Sequence, residues 1–344
     1  MRMTQQGANN LERATQARAS SAAEFFALIR EELAAFEHEF ASQIASEVPL
    51  IAEIGRYVKD GGGKRIRPAL LLLSAKLWGR PVTRSTIRLA VVVEFIHTAT
   101  LVHDDIIDGA QVRRGRPSVN ARWGNQITVL MGDWLYMRAF EMALEERSFE
   151  ILDLLTQITR KMTEGELIQL GHIGDLFITR ERYFEILQRK TAYLFSACAE
   201  IGGVLGGASP LEQQALREYG MHLGTAFQLI DDVLDFVADD ESLGKPAGND
   251  LREGKLTLPV ILLVEKGEPQ HLEMVRTVLA DGDYRRVTRQ ELVAVLEAEG
   301  CLERAREEAR AYAQRASACL RVVVPSPYRD ALARIAEFTV ERTR

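Results

Sequence analysis

Two acidic clusters of the same pattern, Asp104-Asp105-Ile106-Ile107-Asp108 and Asp231-Asp232-Val233-Leu234-Asp235, each begin where an apolar stretch ends (Phe95 to Val102 and Ala226 to Ile230). A helix that is apolar on all sides is a buried one, so this chain has to carry six carboxylates inward and open them onto an interior cavity. Helical residues four apart share a face, which points the first and last Asp of each cluster the same way. Like charges at that spacing repel unless a cation lies between them. Hard oxygen ligands in ones and twos suit Mg2+ bridging to a phosphate better than a closed protein cage. A single cluster of this kind is often only a solvated acidic face, but two within apolar runs argue against that. Neither cluster has the glycine-containing loop of a calcium-binding EF-hand. A glycosidase-type acid/base pair needs two carboxylates rather than six.

Little else in the composition narrows the function, though several classes are disfavoured. The 344 residues are 47% hydrophobic and 27% charged, ordinary values for a globular protein. A net charge of −6 makes no electrostatic case for nucleic acid. Cys198, Cys301 and Cys319 are few, unclustered and odd in number, so neither a disulfide framework nor a zinc site is indicated, and a reducing cytoplasm fits. Met1 to Arg18 lacks the apolar core of a signal peptide. No stretch approaches the ~18 uninterrupted apolar residues of a membrane span.

Residues 1–20 are polar and expected to be flexible; residues 21–344 are expected to form one all-α domain. Apolar residues recur at helical spacing over Ala23–Phe40, Ser85–Ile107, Ile127–Glu146, Phe149–Leu170, Arg180–Leu205, Leu211–Val237, Leu292–Val323 and Tyr328–Arg342. Period-two alternation, the strand signal, is missing. Breakers such as Gly61-Gly62-Gly63, Gly115-Arg116-Pro117 and Gly244-Lys245-Pro246 fall between the segments.

Basic residues accompany the acids. In Gly61-Gly62-Gly63-Lys64-Arg65-Ile66-Arg67-Pro68 the glycines let backbone approach a ligand, and Lys64, Arg65 and Arg67 supply cationic donors for phosphate oxygens. The spacing is not that of a Walker loop. Arg113-Arg114 follows the first Asp cluster by five residues, which suits a polyanion held between metal and guanidinium groups. Lys190-Thr191 precedes an apolar run, and Gln228 lies one turn before Asp232. Lys245 and Lys255 flank a loop containing Asp250, and His97 lies two turns before Asp104. His103, His172 and His222 read as structural, and Gly202-Gly203-Val204-Leu205-Gly206-Gly207 as a helix end.

Taken in order, GGGKRIRP (61–68), LVHDDIIDGAQVRRG (101–115), GDWLYMRAF (132–140), RKTAYLF (189–195), FQLIDDVLDF (227–236) and GKPAGNDLREGKLTLP (244–259) resemble the signatures of the all-trans polyprenyl diphosphate synthases, most like the long-chain members. The resemblance runs from about residue 20 to the C-terminus, without departure at the catalytic positions. It implies an all-α bundle of long antiparallel helices around a deep cavity, and a homodimer. It implies a Mg2+-dependent condensation of isopentenyl diphosphate with an allylic diphosphate. Asp104, Asp108 and Asp231 would be the ligands of a three-magnesium cluster, with Asp105, Asp232 and Asp235 supporting it. Lys64, Arg67, His97 and Arg114 would bind isopentenyl diphosphate. Arg113, Lys190, Thr191, Gln228, Lys245 and Lys255 would hold the allylic diphosphate.

Alternatives remain at this level. A terpene cyclase shares one Asp-rich helix, but the resemblance there calls for an Asn/Ser/Glu-type second motif. A regulatory subunit would lack these aspartates and basic groups, whereas a catalytic subunit of a heterodimer would keep them. Chain length is read from Ala99 and Thr100, one turn below Asp104. Short-chain members of the family typically place bulky aromatics there, so a C35 to C50 product is expected, with octaprenyl (C40) the central expectation and a farnesyl or geranylgeranyl product the alternative. An eight-unit tail is roughly 40 Å long, about the length of a 27-residue helix, so the floor must lie farther down, with Met131, Trp134 and Met137 as candidates. The dimer is expected to bury the Ala90–Ile96 and Ile127–Met137 faces.

Overall fold

The computed structural model describes residues 24–237 and 247–342. The expected flexible segment 1–20 and the candidate Lys245 lie outside the described residues. The helices are α1 (Arg30–Gln43), α2 (Pro49–Asp60), α3 (Ile66–Ala75), α4 (Arg84–Ile107), α5 (Val119–Trp123), α6 (Asn125–Glu145), α7 (Phe149–Leu170), α8 (Arg180–Leu187), α9 (Tyr193–Gly206) and α10 (Pro210–Val237). They continue as α11 (Asn249–Arg252), α12 (Leu258–Val264), α13 (Pro269–Asp281), α14 (Arg289–Ala298), α15 (Cys301–Cys319) and α16 (Pro327–Glu341).

The two helices that carry the acidic clusters are started by local chemistry. Thr83 and Thr86 form a capping box at the head of α4, and Ser209 exchanges hydrogen bonds with Glu212 at the head of α10. Each then supplies a wide apolar surface. Helix α4 packs along α6, α9 lies against both α3 and α10, and α10 runs along α15. Leu70 to Leu73, Phe36, Phe40, Phe95 and Phe195 fill one apolar cluster; Leu229, Val233, Leu258 to Leu263 and Leu296 fill a second. Helix α4 is long and apolar enough to cross a membrane, yet two thirds of its apolar window is buried inside the protein. It is therefore the core helix of a bundle.

The structure refines the expected segments at several places. The helical run Arg180–Leu205 is interrupted by a π-helical turn, Gln188–Ala192, that carries Lys190 and Thr191; such turns widen a helix locally and often mark functional positions. Leu292–Val323 breaks at Gly300, whose φ of 70° ends α14 and begins α15. Among the described residues, strand appears only as a ribbon, β1 (Val112–Arg113) paired with β2 (Arg116–Pro117). Its loop, Arg114-Gly115, has positive φ at both residues, the geometry of a tight hairpin turn. Two residues per strand are too few for alternation to be read.

Ala90 to Ile96 is buried within the protomer and cannot also be an outer dimer face. Met137 is 63% exposed on the protomer and is not on the cavity wall. Val129, Leu130, Met137 and Leu144 instead form an exposed apolar stripe along α6.

Close helix packing depends on residues without side chains. A Cβ at Gly202 would overlap the Leu71 carbonyl oxygen and lie 2.7 Å from Ser74 Cβ, so α3 and α9 touch backbone to backbone. Gly202→Val should lower stability by about 1–3 kcal/mol through overpacking, measured as a lower urea midpoint at unchanged m-value.

Candidate active site

A cavity of about 730 Å3 opens between the start of α3, the inner face of α4, α7, α8 with its π-turn, α10 and the loop before α12. One wall is acidic and the facing wall basic. Asp104, Asp231, Asp232 and Asp250 line it together with Lys64, Arg67, His97, Arg113, Arg114, Lys190, Thr191, Gln228 and Lys255. Most of the residues singled out from the sequence thus converge on one chamber.

Within the first cluster, the three carboxylates have different environments. Asp105 is buried and accepts from Arg113 Nε at 2.6 Å, which ties α4 to the hairpin. Asp108 accepts from Lys255 Nζ at 2.8 Å. The Asp104 carboxylate makes no hydrogen bond or ion pair among the described residues. Burial, with Glu166 and Asp108 nearby, pushes its carboxyl up to about 6 despite the counteracting Lys190.

The second cluster departs from the expected symmetry. Asp231 pairs with Arg342 at 2.7 Å. Asp232 is buried and accepts from Tyr183 Oη at 2.5 Å and from Gln228 Nε2 at 2.8 Å. Thr191 Oγ1 in turn donates to Gln228 Oε1 at 2.9 Å. Burial, then the neighbouring Asp250, pushes the Asp232 carboxyl up to about 8. Asp235 is buried and accepts from the Asp250 backbone N–H at 3.2 Å. Asp231 and Asp232 are on the chamber wall, and Asp235, one turn beyond Asp231, is not among its lining residues.

Across the cavity, Arg67 is half-buried on the wall with no carboxylate partner among the described residues, and its buried Nε has no hydrogen-bond partner there. Its guanidinium sits 4.9 Å from the Phe195 ring centroid, and its Nη1 donates to His97 Nε2 at 3.0 Å. The His97 proton must then be on Nδ1. Burial and the surrounding Arg67, Arg114 and Arg113 hold this imidazole well below its ordinary pKa, so it is neutral. Arg114 donates to the Gly62 carbonyl, and a Cβ at Gly63 would crowd its guanidinium at 3.1 Å. Arg65 also lines the chamber, but its guanidinium is taken up by Glu37 at 2.7 Å and buried Glu94 at 2.9 Å. Lys190 bonds Glu166 at 2.5 Å and Gln169 on α7.

Thr100 lines the chamber, whereas Ala99 is fully buried in the core and off its wall. Of the two, Thr100 is the residue a tail would meet. None of Met131, Trp134 and Met137 lines this cavity. His172, read as structural, lies on the wall and bonds Asp175 at 2.9 Å. Glu166, Gln169, Tyr183, Asp250 and Arg342 were not assigned site roles from the sequence. Tyr183 lies seven residues before Lys190, a same-face spacing, but Glu166 and Gln169 look like any polar residues of an amphipathic helix.

The donor set suits a divalent cation that brings its own anion. Hard carboxylate oxygens cluster around Asp104, yet no three His, Cys, Asp or Glu side chains among the described residues converge into a cage. Mg2+ is typically held by one or two carboxylates plus phosphate oxygens.

An acidic wall and a half-buried guanidinium without a carboxylate partner among the described residues thus share one chamber inside a helical bundle. A sequence profile of the polyprenyl synthetase family matches residues 48–296. The chain belongs to that family and is a prenyltransferase with the all-α isoprenoid synthase fold. It is 41% identical over 317 residues to the octaprenyl diphosphate synthase of Escherichia coli, spanning 92% of this chain and 98% of that one. A polyprenyl synthase of Caulobacter crescentus, solved with calcium and isoprenyl diphosphate, superposes with a TM-score of 0.90 at 36% identity, covering 94% of this chain and 98% of that one. A decaprenyl diphosphate synthase of Rhodobacter capsulatus superposes at 0.88 and 36% identity, covering 94% and 99%.

The environment of Asp104 has a thermodynamic consequence. A carboxyl raised from 3.8 to about 6 costs the folded metal-free protein on the order of 3 kcal/mol above that pH, through proton linkage. The cost fades as pH falls through 6 and is gone below about 4, where the group is protonated in both states. Asp104→Asn should therefore unfold at higher temperature than wild type at pH 7.5 without metal, and at the same temperature near pH 4. Its turnover should fall by several orders of magnitude.

Proposed function

We propose that this enzyme condenses isopentenyl diphosphate with an allylic diphosphate, in the presence of Mg2+, to make a long-chain all-trans polyprenyl diphosphate. The observation that carries this reading is that carboxylates of α4 and α10 and the half-buried guanidinium of Arg67, which has no carboxylate partner among the described residues, line one chamber. Two diphosphates need two cationic surroundings, and the chamber offers both. Asp104, Asp108 and Asp231 would hold magnesium, three ions when substrate is present, on the allylic diphosphate; Lys190, Thr191, Gln228, Lys255, Arg113 and Lys245 would complete that side. Lys64, Arg67, His97 and Arg114 would hold isopentenyl diphosphate.

Bound magnesium would supply charge stabilisation to the departing diphosphate. The chain's own groups do the rest. Lys190 and Lys255 sit beside Glu166 and Asp108, within reach of oxygens on which negative charge grows as the allylic C–O bond breaks; charges preorganised in this way need little rearrangement. Arg67 and neutral His97 orient the second diphosphate so that its terminal alkene carbon faces the allylic cation. Attack forms the new C–C bond, and the proton then lost from the adjacent carbon goes to the diphosphate released in the first step. Leu101, Ile178, Ile186, Leu187, Phe227 and Leu256 give the chamber an apolar lining that keeps water from the cation.

Small Thr100 on the wall supports a long product, as do the octaprenyl- and decaprenyl-forming relatives. The exposed stripe Val129, Leu130, Met137 and Leu144 on α6 supports a homodimer, since a contiguous apolar face on a protomer commonly marks an interface. The three cysteines are free thiols, in keeping with a cytoplasmic setting.

Purified chain, given Mg2+, isopentenyl diphosphate and farnesyl diphosphate, should yield products between C35 and C50 by chromatography. Thr100→Phe should shorten them to about C15 or C20 from a dimethylallyl or geranyl primer while the first condensation persists. The buried Ala99→Phe would also overpack the core, which makes it the less clean variant. A wild-type product stopping at C20 would refute the long-chain reading. By light scattering the chain should weigh twice its 38.5 kDa protomer mass, and Leu130→Glu should bring it to one protomer. An active wild-type monomer would refute the dimer.

A further inference from the structure

Each cluster has a cation already seated on one of its carboxylates. On the first, Lys255 bonds Asp108 and Glu253. On the second, the cation comes from the last described helix. Arg342, just past α16, reaches into the chamber with a side chain only 9% accessible. Its Nη2 donates to Asp231 Oδ1 at 2.7 Å and to the Phe227 carbonyl at 2.8 Å, and its Nε donates to the Thr339 carbonyl at 3.2 Å. The guanidinium carbon lies 4.0 Å from the Phe227 ring centroid. Its Nη1 has no hydrogen-bond partner among the described residues. Backbone, ring and carboxylate hold it from three sides while one donor edge is left for the cavity, which is the arrangement of a built site rather than a surface ion pair.

We infer that Arg342 is an exchangeable counter-ion of the second cluster, pairing with Asp231 in the metal-free enzyme and with the diphosphate once metal and diphosphate enter together. The inference rests on the reading of Asp231 as part of the site for metal-bound diphosphate. A divalent cation alone has to evict or repel the guanidinium to reach Asp231, and the displaced charge then has no anion to go to. A cation arriving with diphosphate brings oxygens that the planar fork can take without leaving its Phe227 shelf. Arg342 thus disfavours the bare metal and favours the metal–diphosphate complex, and the cluster fills only when the leaving group is present. It is a positioning residue in this role, acting through Asp231 and the diphosphate rather than on the reacting carbons.

The test uses calorimetric titration of the full chain without turnover, with Mn2+ alone as the first ligand and inorganic diphosphate at fixed Mg2+ as the second. Arg342→Gln should bind Mn2+ alone several-fold more tightly. It should bind diphosphate with Mg2+ about tenfold more weakly, the scale of one lost charge-assisted hydrogen bond. Arg342→Lys, which keeps the charge but not the planar fork, should fall between wild type and Arg342→Gln in both. Opposite shifts of this kind support exchange. No change in either titration, or shifts of the same sign in both, overturn it, because a merely structural arginine would weaken both or neither. Asp231→Asn separates the two levels of the argument: unchanged binding of diphosphate with Mg2+ in that variant removes the site reading itself, whereas weakened binding there with an unresponsive Arg342→Gln removes only the exchange.

Discussion

Ionised carboxylates are costly inside a helical bundle, and the way this chain neutralises six of them organises much of its active chamber. Removing a charge from water costs several kcal/mol unless a partner compensates. Each partner here comes from a different element: Arg113 from the hairpin for Asp105, Lys255 from the loop before α12 for Asp108, Arg342 from beyond α16 for Asp231, and Tyr183 from α8 with Gln228 for Asp232. The pairs therefore pin the hairpin, α8, the loop before α12 and the segment after α16 around α4 and α10. Asp104 has no such partner, and burial leaves its carboxyl raised to about 6, as it leaves Asp232 raised despite Tyr183 and Gln228. A group left in that condition gains most from a divalent cation.

The basic wall has the complementary problem and a different solution. Arg67 is half-buried on the wall and pairs with neither Glu94 nor an Asp; Glu94 is engaged by Arg65. Phe195 and His97 flank it instead. A neutral imidazole can accept from a guanidinium without cancelling its charge, so the positive potential in that corner is kept for a ligand anion. Backbone contact between α3 and α9, made possible at Gly202, sets the depth of this corner, because α3 begins with Arg67's own turn. Packing in one apolar cluster thereby determines where a substrate phosphate can sit.

Much of the architecture was legible from periodicity. The extents of α4, α6, α7, α10 and α16 agree with the sequence reading to within a few residues, since each has a long apolar face and a clear capping or breaking residue. The π-turn at Gln188–Ala192 was not legible, because it changes the helical register without interrupting the apolar pattern. The ribbon at Val112–Pro117 is too short to show alternation. The supposed dimer face Ala90–Ile96 failed for another reason: an apolar run states that a surface must be covered but not by what, and here α6 and other parts of the same protomer cover it.

The sequence by itself determined the chemistry: two aspartate clusters on apolar helices, a glycine-rich basic turn and a Lys-Thr pair, in an order that resembles one family. These are local properties, fixed by spacing along single helices. Which carboxylate faces the chamber was decided only by tertiary structure. Asp232 rather than Asp235 lines it, Thr100 rather than Ala99 meets it, and Arg342 closes on Asp231 from 111 residues away. Periodicity tells which residues share a helix face. The rotation of that face against its neighbours, and the distant groups that come to meet it, are set by how all the helices pack at once.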